Sequence, residues 1–213
     1  MSEVSPMVVF IPGTHSRSGP GIPEWWHLGQ PMAQAFQARG YMVTAFPWTT
    51  ELDGIFGPSR RWRDAGEKLG LWLRLNPVDL VLAHSHGGNL LPVAMLSAPT
   101  VSVPALVTLG TPVRPELDLL YARMRQTGQV PRWLHIYAEG DWWQWWGSRP
   151  RVRDWWRPTA WTTTRTMPHA TENRSAGSVG HHGLLDLSML ERIGFWSWQG
   201  RAGVRIGGWM PWG

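Results

Sequence analysis

The sequence predicts an α/β protein: a mostly parallel β-sheet with helices on both faces. Three observations predict it. Short apolar runs such as Met7 to Ile11 (MVVFI) and Val78 to Ala83 (VDLVLA) read as strands buried on both sides. Other segments repeat their apolar residues at three- and four-residue steps, the mark of amphipathic helices. The two kinds of segment alternate along the chain, as parallel sheets with crossover helices require. With 213 residues, 43% of them hydrophobic, the chain is long enough to bury a core.

Taken in order, Met7 to Ile11 is a strand closed by Pro12-Gly13. Pro31 to Arg39 is a helix with Met32, Ala35 and Phe36 on one face and Gly40 as its stop, and Tyr41 to Phe46 is a second strand. Ser59 to Leu75 is the clearest amphipathic helix, with Trp62, Ala65, Leu69, Trp72 and Leu73 on its apolar side. After the strand Val78–Ala83 a helix is expected from about His86, kinked at Pro92. Val103 to Leu109 is a strand, and Pro115 to Gln126 a helix presenting Leu117, Leu120, Tyr121 and Met124. Trp133 to Ala138 and Ala160 to Thr166 read as later strands, and Leu184 to Ile193 as a closing helix. Residues 1–193 thus form one domain, with a small Trp- and Arg-rich cap or insertion at about 142–158. Residues 194–213 form a Gly/Trp-rich tail without helical periodicity.

Composition removes several function classes. The chain has no cysteine, which excludes disulfides, thiolate metal sites and cysteine nucleophiles. The opening MSEVSPMVVFIPG has no basic segment leading into a long apolar stretch, so no signal peptide is read and a cytoplasmic location is expected. Residues 87–113 carry no charge, but Pro92, Pro99, Pro104 and Pro112 break them up, and no transmembrane segment is expected. The formal charge is +5, with Arg149, Arg151, Arg153 and Arg157 as the densest basic patch. No nucleic-acid motif accompanies that patch, so it reads as a solvated loop and no nucleic-acid partner is expected. His84 and His86 have the spacing of metal ligands but no carboxylate or third histidine near them in sequence; neither a metal nor an organic cofactor is expected.

Ligands of such sheets bind at the carboxyl ends of the strands, which is where chemistry is sought. There the strand Val78–Ala83 runs into His84-Ser85-His86-Gly87-Gly88-Asn89. A serine between a strand and a helix, followed by two glycines, has the makings of a nucleophile elbow. The turn exposes the hydroxyl, the glycines let the chain pass close to itself, and the helix amino terminus faces the developing negative charge. Ala83 stands where the G-x-S-x-G pattern has its first glycine, and alanine is small enough for the same packing.

With these residues in view, AHSHGGN resembles the elbow of small bacterial lipases and esterases of the α/β-hydrolase superfamily. FIPGTHS at residues 10–16 is similar to their first core strand and oxyanion loop, with Pro12-Gly13 in place of the usual His-Gly. LVTLGTPVRPE at residues 106–116 looks like the strand after the elbow helix, which in that family commonly ends in Gly-Thr-Pro. The resemblance covers roughly residues 7 to 193. It implies an α/β-hydrolase fold and a serine hydrolase with chain order Ser, acid, His.

A serine nucleophile needs a base, and the base needs a carboxylate to orient it. The strand Trp133–Ala138 leads into Glu139-Gly140-Asp141. Because the family commonly holds its acid in Gly-Asp or Gly-x-Asp turns, the resemblance places Asp141 first, ahead of Glu139 and Asp154. His181-His182-Gly183-Leu184-Leu185 lies before the closing helix. Similar lipases show His-x-Gly-Leu-Leu there, which puts His181 ahead of His182, with His169 as a further candidate. The oxyanion donors expected are the backbone N–H groups of His86 and of Thr14, with His15 the alternative to Thr14.

The 17 tryptophans are far above ordinary usage. Trp142 and Trp143 follow Asp141 directly and, with His15, are the expected substrate-binding residues, as an acyl-binding wall or part of a cap. The function these readings support is a carboxylic-ester hydrolase acting on a small-molecule or lipid-like ester. A catalytically idle scaffold that binds a carbohydrate or protein through its aromatic surface is the alternative. A binder of anionic surfaces through the arginines stands third.

Overall fold

Val8 and Phe10 of the first strand enter one core while Val9 and Ile11 enter another, so a single strand feeds both faces of a sheet. That is the period-two consequence of strand geometry, and it explains why the sequence runs apolar without interruption. A computed structural model describes residues 5–14, 24–48, 60–148 and 165–201. Strands β1 (Met7–Ile11), β2 (Met42–Ala45), β3 (Leu80–His84), β4 (Ala105–Leu109), β5 (Arg132–Tyr137) and β6 (Glu172–Ser175) pair in the order β2-β1-β3-β4-β5-β6. Every pairing is parallel.

Helices α1 (Pro31–Gln37), α6 (Leu187–Arg192) and α7 (Phe195–Arg201) cover one face through Met32, Phe36, Met189, Leu190 and Phe195. On the other face lie α2 (Arg60–Leu75), α3 (Leu90–Ser97) and α4 (Asp118–Gln126), which bury Trp62, Leu69, Leu90, Tyr121 and Met124. The short α5 (Trp142–Gly147) follows β5. Two glycines set the closeness of α2 and α3. A Cβ at Gly66 would stand 2.6 Å from Val93 Cβ, and one at Gly70 would stand 2.4 Å from Ser97 Oγ. The helices meet there backbone to side chain, with no room for a methyl group.

Three local expectations change. Pro92 lies in the first turn of α3, where its missing N–H costs nothing, and a 3₁₀ turn at Ser85–Asn89 precedes the helix instead of a kink. Among the described residues the last strand is the polar β6, which the sequence reading did not include. Residues 165–166 are not a strand, and 160–164 lie outside the described residues. Residues Phe195–Arg201 are helical, with Phe195 and Trp198 buried against the α1 side of the sheet. The rest of the tail, 202–213, lies outside the described residues, as do residues 149–158 of the expected insertion, with the arginine patch and Asp154.

The connections fix where a ligand would lie. The segment after β1 leads to α1 on one face, while the segment after β3 leads to α3 on the other. Adjacent parallel strands whose connections part in this way open a crevice at their carboxyl ends. Pro12-Gly13 and Ser85 sit at that crevice.

Candidate active site

Ser85 is the first residue after β3. Its φ is 52°, and among the described residues it is the only non-glycine with a positive φ. The left-handed region costs an ordinary residue on the order of 1 kcal/mol or more, and surroundings must hold it there. Those surroundings are small residues. A Cβ on Gly13 would lie 2.6 Å from Ser85 Cβ, and one on Gly87 would lie 2.4 Å from the Pro12 carbonyl oxygen. The two glycines let the loop after β1 and the turn after β3 touch backbone to backbone. Ser85 is 7% exposed, and its hydroxyl has no hydrogen-bond partner among the described residues.

Asp141 is the residue before α5 and is completely buried. One oxygen, Oδ2, accepts a hydrogen bond from His181 Nδ1 at 2.6 Å. The other, Oδ1, accepts from the backbone N–H of Gln144 at 2.9 Å, which makes Asp141 the N-cap of α5. The Gln144 side chain in turn donates to the carbonyls of Thr111 at 3.2 Å and Arg165 at 2.9 Å. Both carboxylate oxygens are therefore satisfied, as burial of a charge requires.

His181 opens the 3₁₀ turn His181–Leu185, and its ring packs on that of His84 with centroids 4.5 Å apart. His84 immediately precedes Ser85 and is the register partner of Leu109. That pairing brings the serine turn next to Gly110, where a Cβ would stand 3.0 Å from Asp141 Oδ2 and 3.1 Å from His181 Nδ1. Gly110 also has a φ of 56°, so a glycine is required there twice over. Burial, reinforced by the neighbouring His181, holds the His84 imidazole well below its usual range, so it stands neutral beside His181.

The structure thus brings Asp141 and His181 together, near Ser85. Among the described residues, Glu139 and His169 stand apart from them and His182 stays on the exposed side; Asp154 lies outside the described residues. Glu139 is exposed and accepts from Ser175 Oγ at 3.0 Å. His169 bonds Asp118 at 2.8 Å on the surface, and the exposed His182 has its ring centroid 5.9 Å from that of His181. The His86 side chain is buried on Trp62 and receives a 3.0 Å hydrogen bond on Nδ1 from Asn89 Nδ2, whose carbonyl is bonded by the Tyr121 hydroxyl. Any part His86 plays toward a substrate is left to its backbone. Thr14 ends the described part of the loop after β1, and His15 lies outside the described residues. Trp142 and Trp143 are 58% and 57% exposed on the first turn of α5.

No protein-family profile matches the sequence, and no curated protein matches it. Comparison with solved structures does find a likeness. An α/β-hydrolase enzyme from the metagenome of sediments of the Mar Chica lagoon, Morocco, superposes with a TM-score of 0.51 at 14% identity, over 93% of each chain. The chain has the α/β-hydrolase fold. RedJ, with a PEG molecule in its active site, and polyneuridine aldehyde esterase align more loosely. Their TM-scores are 0.47 and 0.45 at 13% and 15% identity, covering 95% and 89% of this chain and 97% and 99% of theirs.

Within this α/β-hydrolase fold, sequence reasoning passed over two residues that hold the site. Gln144, which the sequence analysis did not single out, is completely buried behind Asp141. A lone amide among four indoles was the available signal. Trp48 is the second, and its bond to Pro12 joins positions 36 residues apart.

Proposed function

We propose that this chain is a serine hydrolase that cleaves a carboxylic ester through an acyl-enzyme. The observation that carries the reading is the buried 2.6 Å Asp141–His181 hydrogen bond, at the same end of the sheet as a serine held at φ 52°. A carboxylate on Nδ1 leaves Nε2 as the nitrogen that takes up a proton, and it stabilises the imidazolium so formed.

In this reading Ser85 Oγ attacks the ester carbonyl carbon as His181 Nε2 accepts the hydroxyl proton. The tetrahedral oxyanion is held by the backbone N–H groups of His86 and Thr14. Each such donor contributes about 10²–10³ in rate. Collapse breaks the carbon–oxygen bond to the leaving alcohol, which takes the proton from His181. Water then attacks the acyl-serine with His181 as base, releasing the acid and restoring Ser85. No metal or organic cofactor enters any step. The substrate is a small-molecule or lipid-like ester, with Trp142, Trp143 and His15 as the residues that meet its acyl or alcohol part.

The test is labelling with a fluorescent fluorophosphonate, comparing wild type with Ser85→Ala. Labelling of wild type alone supports the reading and justifies a screen of esters by acyl length. Absence of labelling in folded wild type overturns it in favour of an idle scaffold that binds through its aromatic surface.

A further inference from the structure

We propose, resting on the reading above, that Trp48 is a positioning residue for the oxyanion loop. Its indole N–H holds the Pro12 carbonyl and thereby orients the backbone that meets Ser85. Trp48 follows β2, is buried in the core on the α2–α3 side, and donates from Nε1 to the Pro12 oxygen at 2.7 Å.

The argument begins with what the loop lacks. Beyond Ile11 the chain leaves the sheet, so its carbonyls no longer have strand partners. Pro12 has no N–H to anchor it, and Gly13 has no side chain to restrict its own torsions. Left to itself, the Pro12-Gly13 stretch is held by the proline ring at one torsion alone, the Pro12 φ. The stretch is also critical, because the Gly13 Cα faces Ser85, with a Cβ there 3.2 Å from Ser85 Oγ. The Pro12 oxygen faces the Cα of Gly87, which offers it no N–H. A buried carbonyl without a donor is unfavourable, so the indole N–H stabilises this orientation.

Peptide planarity then transmits the anchor. No peptide bond is cis among the described residues, and in a trans peptide the carbonyl and the following N–H point in opposite directions. Fixing the Pro12 carbonyl toward Trp48 therefore fixes the Gly13 N–H away from it. It also sets the plane from which the next peptide, carrying the Thr14 N–H, departs. A rotation of the first plane would swing the second relative to Ser85. Trp48 touches no reacting atom; it acts through Pro12.

The test uses the full chain. Replacing Trp48 by β-(3-benzothienyl)alanine keeps the ring's shape and substitutes sulfur for the N–H; Trp48→Phe is the genetically encoded companion. The readouts are the second-order rate of fluorophosphonate labelling and the separate kcat and KM for p-nitrophenyl acetate. A positioning role predicts a roughly 10- to 100-fold fall in labelling rate and in kcat. KM stays within about twofold, the pH profile keeps its shape, and thermal melting shows the variant folded. A folded benzothienyl variant with labelling and kcat within twofold of wild type overturns the role of Trp48 and leaves the hydrolase reading standing. A wild-type chain that does not label at all overturns that reading and this one with it.

Discussion

The Asp141 carboxylate lies 2.6 Å from His181 Nδ1 and is wholly removed from solvent, while the same carboxylate caps the helix that carries Trp142 and Trp143. One side chain thus holds the imidazole and caps α5. The two duties separate by substitution. Asp141→Asn retains an oxygen for the Gln144 amide but loses the charge that sets the His181 tautomer. It should lower kcat by about 10³–10⁴ with little change in stability. Asp141→Ala removes the cap as well and should cost a further ~1 kcal/mol of stability. Ester hydrolysis by Asp141→Asn at wild-type rates would remove Asp141 from the reaction.

Acid sensitivity should follow from His135. Its Nδ1 faces Thr108 Oγ1 at 2.8 Å and its Nε2 the Arg165 carbonyl at 2.9 Å. Burial pushes its pKa from 6.5 down to about 4. Between those values the unfolded chain binds a proton that the folded chain refuses, so the unfolded state gains as pH falls. Stability should therefore decline from about pH 6.5 to about pH 4 and flatten below, by at most about 1.4 kcal/mol per pH unit for this group. Urea midpoints at pH 7, 5.5 and 4 measure the slope, and His135→Gln, which cannot titrate, should make it shallower. His84, also held neutral by burial, adds to the loss in the same direction.

The closeness of the serine turn to the loop after β1 makes Gly87 irreplaceable. A methyl there meets two backbone oxygens, Pro12 at 2.4 Å and Ile11 at 2.6 Å, and strand β1 cannot retreat. Gly87→Ala should cost about 3 kcal/mol, the upper end for overpacking. At Gly29 a Cβ meets nothing within 4 Å, so Gly29→Ala should stay within about 0.5 kcal/mol of wild type. Chemical denaturation of both variants checks the contrast; equal losses would refute the packing argument.

Trp142 and Trp143 stand more than half exposed, so removing their rings should leave Tm nearly unchanged. If they meet substrate, Trp142→Ala and Trp143→Ala shift the acyl-length profile of kcat/KM for p-nitrophenyl esters. A profile identical to wild type would show that neither indole contacts the acyl chain.

The central strands were legible because burial on two faces demands apolar residues at every position. Met7–Ile11 appears as read, and Val78–Ala83 shifts by only a residue or two to Leu80–His84. The strand β6 escaped notice for the converse reason. Among the described residues it pairs with β5 alone, and its residues ENRS need no apolar run. Helix α7 was missed although Phe195, Trp198 and Gln199 are buried at steps of three and four, because seven residues are too few to establish a period. At the site, the turn chemistry around Ser85 could be read locally from its glycines. The supports supplied by Trp48 and Gln144 are contacts made across the fold, which no local pattern records.

The placement of α1, α6 and α7 on one face of the sheet and α2, α3 and α4 on the other has a consequence for assembly. The turn bearing Ser85 runs into the second layer, whereas His181 arrives with the first, 97 residues after His84. A chain that has docked only one layer holds half of the constellation. Recovery of labelling during refolding should therefore lag behind recovery of helical signal, since closing so long a loop is slow. Enzymatic competence would then report the last event of folding, the moment at which both layers have closed on the sheet.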